Sequence, residues 1–270
     1  MAAMTPYELS VLRAKRYKET VKSMWKAQLT MLILSICAYV LLLLSVLAAS
    51  IYGLEGIIFL ALIPIFIIAL VAYVFQWKFC NRVGDWAYYA PQEDQKQVSR
   101  IHKSLLTILI TGIVSGVISG ITDSFTPYLN LSLEEAQTFS LVTVLISLIL
   151  AAINLIAIIM QIVGLVKLSK STTLPEKAKR GAKSIILYYI VALTSLIVGL
   201  PLLLIGVYSS NTNELLGGIF AIISLLILGI GSIASMVFYY RGWWLISKSE
   251  LPIIQEETRL EHDTENTLTL

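Results

Sequence analysis

Six long apolar segments determine what this chain can fold into. Each is long enough to cross a bilayer, because a hydrocarbon core of about 30 Å takes roughly 20 helical residues. None of them carries a charged residue in its middle. Their predicted limits are 29–52, 56–77, 105–121, 141–166, 185–208 and 215–240. Continuous runs of this length favour helices over β-barrel strands, which need only about ten alternating residues. The sequence therefore predicts an all-α integral membrane protein with six transmembrane helices.

The composition supports this prediction. Of the 270 residues, 57% are hydrophobic and 14% are charged, whereas soluble chains carry roughly 25% charged residues. A soluble protein this apolar has too few polar residues to cover its surface. The composition therefore argues against a soluble enzyme, a nucleic-acid-binding protein and a disordered chain, and we expect no nucleic-acid partner.

The distribution of charge predicts the orientation of the helices. All twenty lysines and arginines fall in four segments on one side of the membrane: the N-terminal segment, the second-to-third connection, the fourth-to-fifth connection and the C-terminal segment. In the three connections on the other side, all the charged residues are acidic: Glu55, Asp123, Glu134, Glu135 and Glu214. Because basic residues mark cytoplasmic flanks, we expect both termini in the cytoplasm and the chain in the cytoplasmic (plasma) membrane.

Short outer connections and longer basic inner ones suggest three tandem helical hairpins within a transmembrane domain of residues 29–250. Two hairpin exits have similar sequences: residues 164–171 and 242–249 both begin with glycine and end in Ser-Lys-Ser, and a Leu-Pro pair follows each. This similarity has two interpretations of equal weight. One is an internal repeat, and the other is the common preference of cytoplasmic helix ends for basic, small and aromatic residues.

The two ends of the chain differ in character. Residues 1–28 begin with a capping box at Thr5 and Glu8, and apolar residues then recur every three or four positions. This pattern predicts an amphipathic helix lying on the inner membrane surface, with anionic lipid as its partner. Residues 251–270 are acidic and carry few apolar side chains, which predicts a mobile cytoplasmic tail.

The sequence contains no recognisable catalytic centre. No charged residue lies at bilayer depth, where such residues usually have a function, and both histidines, His102 and His262, lie outside the apolar segments. No group of residues has metal-ligand spacing, so we predict no metal, no cofactor and no enzymatic activity. A lipid-modifying site around His102, Asp85 and Glu93 receives little support from their spacing.

Uncharged polar residues cluster on two segments. Those of the fourth recur every seven residues and share one helix face, and those of the third flank a row of glycines. We expect the third helix to pack against the polar face of the fourth. That face is open to two interpretations, a polar path for a small solute or hydrogen bonding between helices. The candidate residues are Ser140, Ser147, Asn154 and Gln161 in the fourth segment, Thr107, Thr111, Ser115 and Ser119 in the third, and the packing glycines Gly112, Gly116 and Gly120.

These observations favour a non-enzymatic membrane protein that acts as an accessory, regulatory or immunity-type interaction subunit. It would work through helix packing and its basic cytoplasmic face, with membrane lipids and either a protein partner or a second copy of the chain as partners. The alternative is an uncoupled channel, or the membrane subunit of a small-solute transporter, that uses the polar faces of the third and fourth helices.

Overall fold

A computed structural model describes residues 5–52, 56–125, 133–210 and 214–252, and nearly all of them are helical. Six helices in the described residues are long and apolar enough to span a membrane. The prediction of an all-helical, multi-pass membrane protein is therefore confirmed. The helices are α1 (Pro6–Tyr52), α2 (Gly56–Tyr89), α3 (Gln92–Phe125), α4 (Leu133–Ser169), α5 (Glu176–Ser210) and α6 (Glu214–Ser247).

The six helices form a closed ring. Each packs against the next helix in the chain, and α6 returns to contact α1. The most extensive contacts join α5 with α6 and α1 with α2, and the contact between α3 and α4 comes next. This arrangement places α4 between α3 and α5, so a polar residue on α4 has two neighbouring helices from which to draw a partner.

The buried core lies at the helix ends that carry the basic residues. We call these ends the basic layer; it comprises residues 6–28, 78–105, 165–185 and 241–252. Away from this layer the helices expose most of their leucine, isoleucine and valine side chains, as expected for surfaces that face hydrocarbon. The largest fully buried hydrophobic side chains of the layer are Tyr17, Met24, Phe79, Trp86, Ile101, Leu165, Leu168, Ile185, Trp243 and Ile246.

The structure of the N-terminal segment differs from the prediction. Residues 6–28 do not form a separate helix lying on the membrane surface, because α1 runs without a break for 47 residues, a length of about 70 Å. The apolar residues that suggested an interfacial face instead pack into the protein, and Tyr17, Val21 and Met24 are buried in the core of the basic layer. The predicted capping box is present, since the backbone amide of Glu8 donates to the Thr5 hydroxyl and that of Thr5 donates to the Glu8 carboxylate.

Helices α5 and α6 approach each other closely through small residues. A Cβ atom added at Gly242 would lie 2.8 Å from the carbonyl oxygen of Gly181, and one added at Gly231 would meet the side chain of Ser195. Farther along the pair, the buried Ser224 hydroxyl donates to the carbonyl of Gly199 at 2.6 Å. Such approaches are typical of helices in a membrane, where small residues let two backbones come together.

The two similar hairpin exits make similar contacts. Gly164 on α4 lies against Ile101 of α3, and Gly242 on α6 lies against Ile185 of α5, so each glycine touches the helix that precedes its own. The serines that end the two exits also hydrogen-bond to earlier parts of the chain: Ser171 to Asp94 and Ser249 to Tyr17. The equivalent contacts favour the interpretation of these segments as an internal repeat.

Candidate functional site

The polar face of α4 is in contact with its neighbours at two of the predicted positions. At the first, the Thr111 hydroxyl of α3 donates a hydrogen bond to Asn154 Oδ1 of α4. At the second, Gln161 is fully buried and its Oε1 accepts from the Tyr189 hydroxyl of α5 at 2.8 Å. The predicted packing of α3 against the polar face of α4 is therefore seen at Thr111. Bonds of this kind contribute about 0.6–2 kcal/mol each in membrane proteins.

A second buried carboxamide lies across the ring. Gln28 of α1 is fully buried, and its Nε2 donates to the Tyr239 hydroxyl of α6 at 3.2 Å. Tyr188 lies between this hydrogen bond and the one that joins Gln161 to Tyr189. Its ring centroid is 5.1 Å from that of Tyr239 and 4.7 Å from that of Tyr189. A polar and aromatic cluster thus joins α1, α6, α5 and α4 at the edge of the basic layer. Its members hold the helices together through hydroxyl and carboxamide groups.

The other predicted polar residues have varied environments. Ser147 and Ser119 are exposed, and Ser115 and Thr107 are partly buried. The Thr107 hydroxyl donates to the Lys103 carbonyl of its own helix at 2.9 Å. The side chain of Ser140 lies outside the described residues. Of the eight polar candidates, the structure therefore brings Thr111, Asn154 and Gln161 into contacts between helices.

The three predicted packing glycines face open space. Gly112, Gly116 and Gly120 are exposed, and a Cβ atom at any of them would meet no neighbouring part of the described chain within 4 Å. Among the described residues, none of the three glycines contacts α4. The reason is geometric, since Thr111 meets Asn154 and the glycine face points away from that contact. Ridges of this type bind other helices in membranes.

Arg13 connects the beginning of α1 to the corner between α2 and α3. Its guanidinium donates to the carbonyl of Tyr89 at 3.2 Å and to the carbonyl of Ala90. These carbonyls belong to the end of α2, where backbone acceptors have no partner within the helix. A cation is also favoured at this end by the helix dipole. Arg13, which is distant in the sequence, thus caps the C-terminal end of α2.

Asp94 connects α3 to the loop between α4 and α5. Its side chain is buried, and its Oδ2 accepts from the hydroxyls of Ser171 at 2.7 Å and Thr173 at 2.6 Å. Asp94 is the third residue of α3, and the positive end of a helix dipole stabilises a carboxylate there. The carboxylate therefore fixes a loop that links the second and third hairpins of the predicted arrangement.

The last described residues of the chain are attached to α1. The Tyr17 hydroxyl is 3.0 Å from the Ser249 hydroxyl in a buried contact, and Lys18 Nζ is 2.7 Å from Glu250 Oε1 in an exposed one. The hydrogen bond and charge of Lys18 lower the pKa of the Glu250 carboxyl. Since both side chains of this ion pair are mostly exposed, its contribution to stability is small.

The structure shows the surroundings of His102, Asp85 and Glu93, the residues of the lipid-modifying hypothesis. The His102 ring packs against Gly84, Asp85 pairs with Arg82 at 2.9 Å, and Glu93 is exposed. Among the described residues, no group of three His, Cys, Asp or Glu side chains is placed to hold a metal ion.

Sequence reasoning missed several of these contacts. Gln28 continues the spacing of three and four that Tyr17, Val21 and Met24 begin, so extension of that face by one turn identifies it as buried. Arg13 and Asp94 gave no comparable signal, because their partners lie 76 and 77 residues away.

No protein-family model, curated protein or solved structure matches this chain.

Proposed function

We propose that the chain is a non-enzymatic, multi-pass protein of the cytoplasmic membrane that acts as an accessory or regulatory interaction subunit. It has three tandem hairpins with both termini in the cytoplasm, and it contacts its partner through helix packing and its basic cytoplasmic face. The observation that carries this proposal is the use of polar residues at membrane depth. Asn154 and Gln161 bond to Thr111 and Tyr189 of neighbouring helices, so these two residues act in helix packing.

The exposed face of α3 supports an interaction with another helix. Gly112, Gly116 and Gly120 are spaced four residues apart and meet no other part of the described chain. In a membrane, such a ridge lets a second backbone approach closely, and the close contact provides the packing that drives association. The partner is a transmembrane helix of another protein or of a second copy.

Membrane lipid is the other expected partner. An apolar groove of about 460 Å³ lies between α1 and α2, and Gln76 lines it together with apolar residues of both helices. Its size and lining suit a lipid hydrocarbon chain. The basic residues beside the membrane favour anionic headgroups, at about 1 kcal/mol for each cation near the surface.

A paired measurement of transport and association tests this proposal. We expect liposomes that contain the chain to be no more permeable to urea, glycerol or monovalent ions than empty liposomes, with the same result for Asn154→Leu. We also expect protein extracted in mild detergent to form a complex larger than the 29.9 kDa chain. Gly116→Leu should dissociate this complex by filling the α3 face, as measured by size-exclusion chromatography with light scattering.

Val117→Leu is the matched control, because Val117 is exposed on the same helix but outside the glycine row; this variant should retain the complex. The alternative is a channel or transporter subunit. A flux that Asn154→Leu abolishes in folded protein would establish the alternative and overturn the proposal. Failure to find any complex of the wild-type chain would also contradict it.

A further inference from the structure

The start of α1 and the corner between α2 and α3 enclose a groove. It consists of two adjoining depressions of about 460 and 310 Å³ that share Leu9 and Arg13, and we call it the terminal groove. Leu9 is 56% exposed, Leu12 41% and Tyr88 75%, although all three belong to the basic layer rather than to the lipid-facing surface. The groove thus exposes apolar side chains in a part of the surface where polar side chains are expected.

The charge of the terminal groove is unbalanced. Arg13 and Arg16 line it, and none of the described residues that line the two depressions is acidic. Arg16 has an exposed, long contact of 3.7 Å with Glu19, which provides little compensation. Arg13 is partly buried and bonds to carbonyl oxygens, and no carboxylate of the described residues lies within 4.0 Å of it. The groove therefore suits a peptide segment in which apolar residues are followed closely by acidic ones.

The C-terminal part of the chain places such a segment next to the groove. Ser249 and Glu250 are held against α1, and the next two residues, Leu251 and Pro252, line the smaller depression together with Leu9 and Arg13. The sequence that follows begins Ile253-Ile254-Gln255-Glu256-Glu257. Because an extended residue spans about 3.5 Å, Glu256 lies within about 14 Å of Pro252, which is near enough to reach Arg13.

We propose that residues 253–257 bind in the terminal groove of the same chain. Ile253 and Ile254 contact Leu9, Leu12 and Tyr88, and the two glutamates pair with Arg13 and Arg16. The tail of the same chain is favoured over a separate partner because it is attached at the edge of the groove. Such attachment gives an effective concentration of about millimolar order. This binding does not require the protein partner of the proposed function.

Crosslinking in the full-length protein tests the proposal. With Cys37 replaced by serine and the buried Cys80 retained, one variant carries Leu12→Cys and Gln255→Cys. The control carries Lys15→Cys and Gln255→Cys, because Lys15 is exposed on the same helix and does not line the groove. The rate of disulfide formation under oxidation is measured in nanodiscs of zwitterionic lipid. It should be about tenfold higher in the Leu12→Cys variant than in the Lys15→Cys variant, because the groove concentrates the tail segment beside position 12. The product should be a monomer.

Charge variants identify the contacts. Glu256→Gln with Glu257→Gln should slow the crosslink at Leu12→Cys, whereas the distal pair Glu261→Gln with Asp263→Asn should leave it nearly unchanged. Equal rates at the two helix positions would overturn the proposal. So would a crosslinked dimer, which indicates the tail of a second copy, or loss of the crosslink in phosphatidylglycerol nanodiscs, which indicates a lipid headgroup in the groove.

Discussion

Replacement of Trp243 by alanine should lower the free energy of unfolding by about 3–5 kcal/mol, the usual cost of removing a large aromatic side chain from a core. Trp243 is 1% exposed, and its ring meets Phe79 edge-on with the centroids 4.9 Å apart. It also contacts Tyr239, which lies 6.2 Å away between ring centroids and holds Gln28. Its removal therefore leaves a cavity between α2 and α6.

The neighbouring tryptophan provides the control. Trp244 is 43% exposed, so Trp244→Ala should change the free energy of unfolding by less than about 1 kcal/mol. Unfolding of both variants by sodium dodecyl sulfate in mixed micelles measures the difference. Equal losses of stability would contradict the assignment of the core to the basic layer.

Gly242→Ala should have the second large effect. The added Cβ atom would clash with Ile185 Cγ1 and would lie 2.8 Å from the Gly181 carbonyl oxygen. The carbonyl belongs to the backbone of α5 and cannot rotate away, so the helices must separate. Overpacking of this kind costs about 1–3 kcal/mol, more than alanine gains over glycine in helix propensity.

Gly229→Ala on the same helix is the matched control, because its Cβ atom would meet no neighbouring part of the described chain within 4 Å. The free energy of unfolding of this variant should stay the same or rise by up to about 1 kcal/mol, since alanine favours the helix. Both variants are compared in the same unfolding titration. A Gly242→Ala protein as stable as Gly229→Ala would show that α5 and α6 do not cross at the distance described.

The number and type of the helices were predictable, because hydrophobic length alone identifies a membrane-spanning helix. The face of α4 was also predictable from its repeat of seven residues, and Asn154 and Gln161 do lie in contacts between helices. The identity of the partners was only partly predictable. Thr111 lies on the expected helix, whereas Gln161 turns to Tyr189 of α5, since periodicity defines a face but not the neighbour that covers it.

The errors have the same origin. An apolar stripe at residues 7–24 suits a membrane surface or a protein core equally well, and here Tyr17 and Met24 enter the core. Likewise, the row from Gly112 to Gly120 permits close packing but does not show which helix approaches. Both features depend on the arrangement of the whole ring, which local sequence does not encode.

The central claim, that Asn154 and Gln161 on the polar face of α4 are covered by contacts with neighbouring helices, can be tested by the labelling of introduced cysteines with a charged, membrane-impermeant methanethiosulfonate. Asn154→Cys, Gln161→Cys and, as an exposed reference, Lys170→Cys are each made in a Cys37→Ser background and reconstituted in liposomes with reagent on both sides. We predict rapid labelling at position 170 and none at positions 154 and 161. Labelling of 154 and 161 at rates close to that of 170 would reveal a water-filled path along α4 and contradict the account.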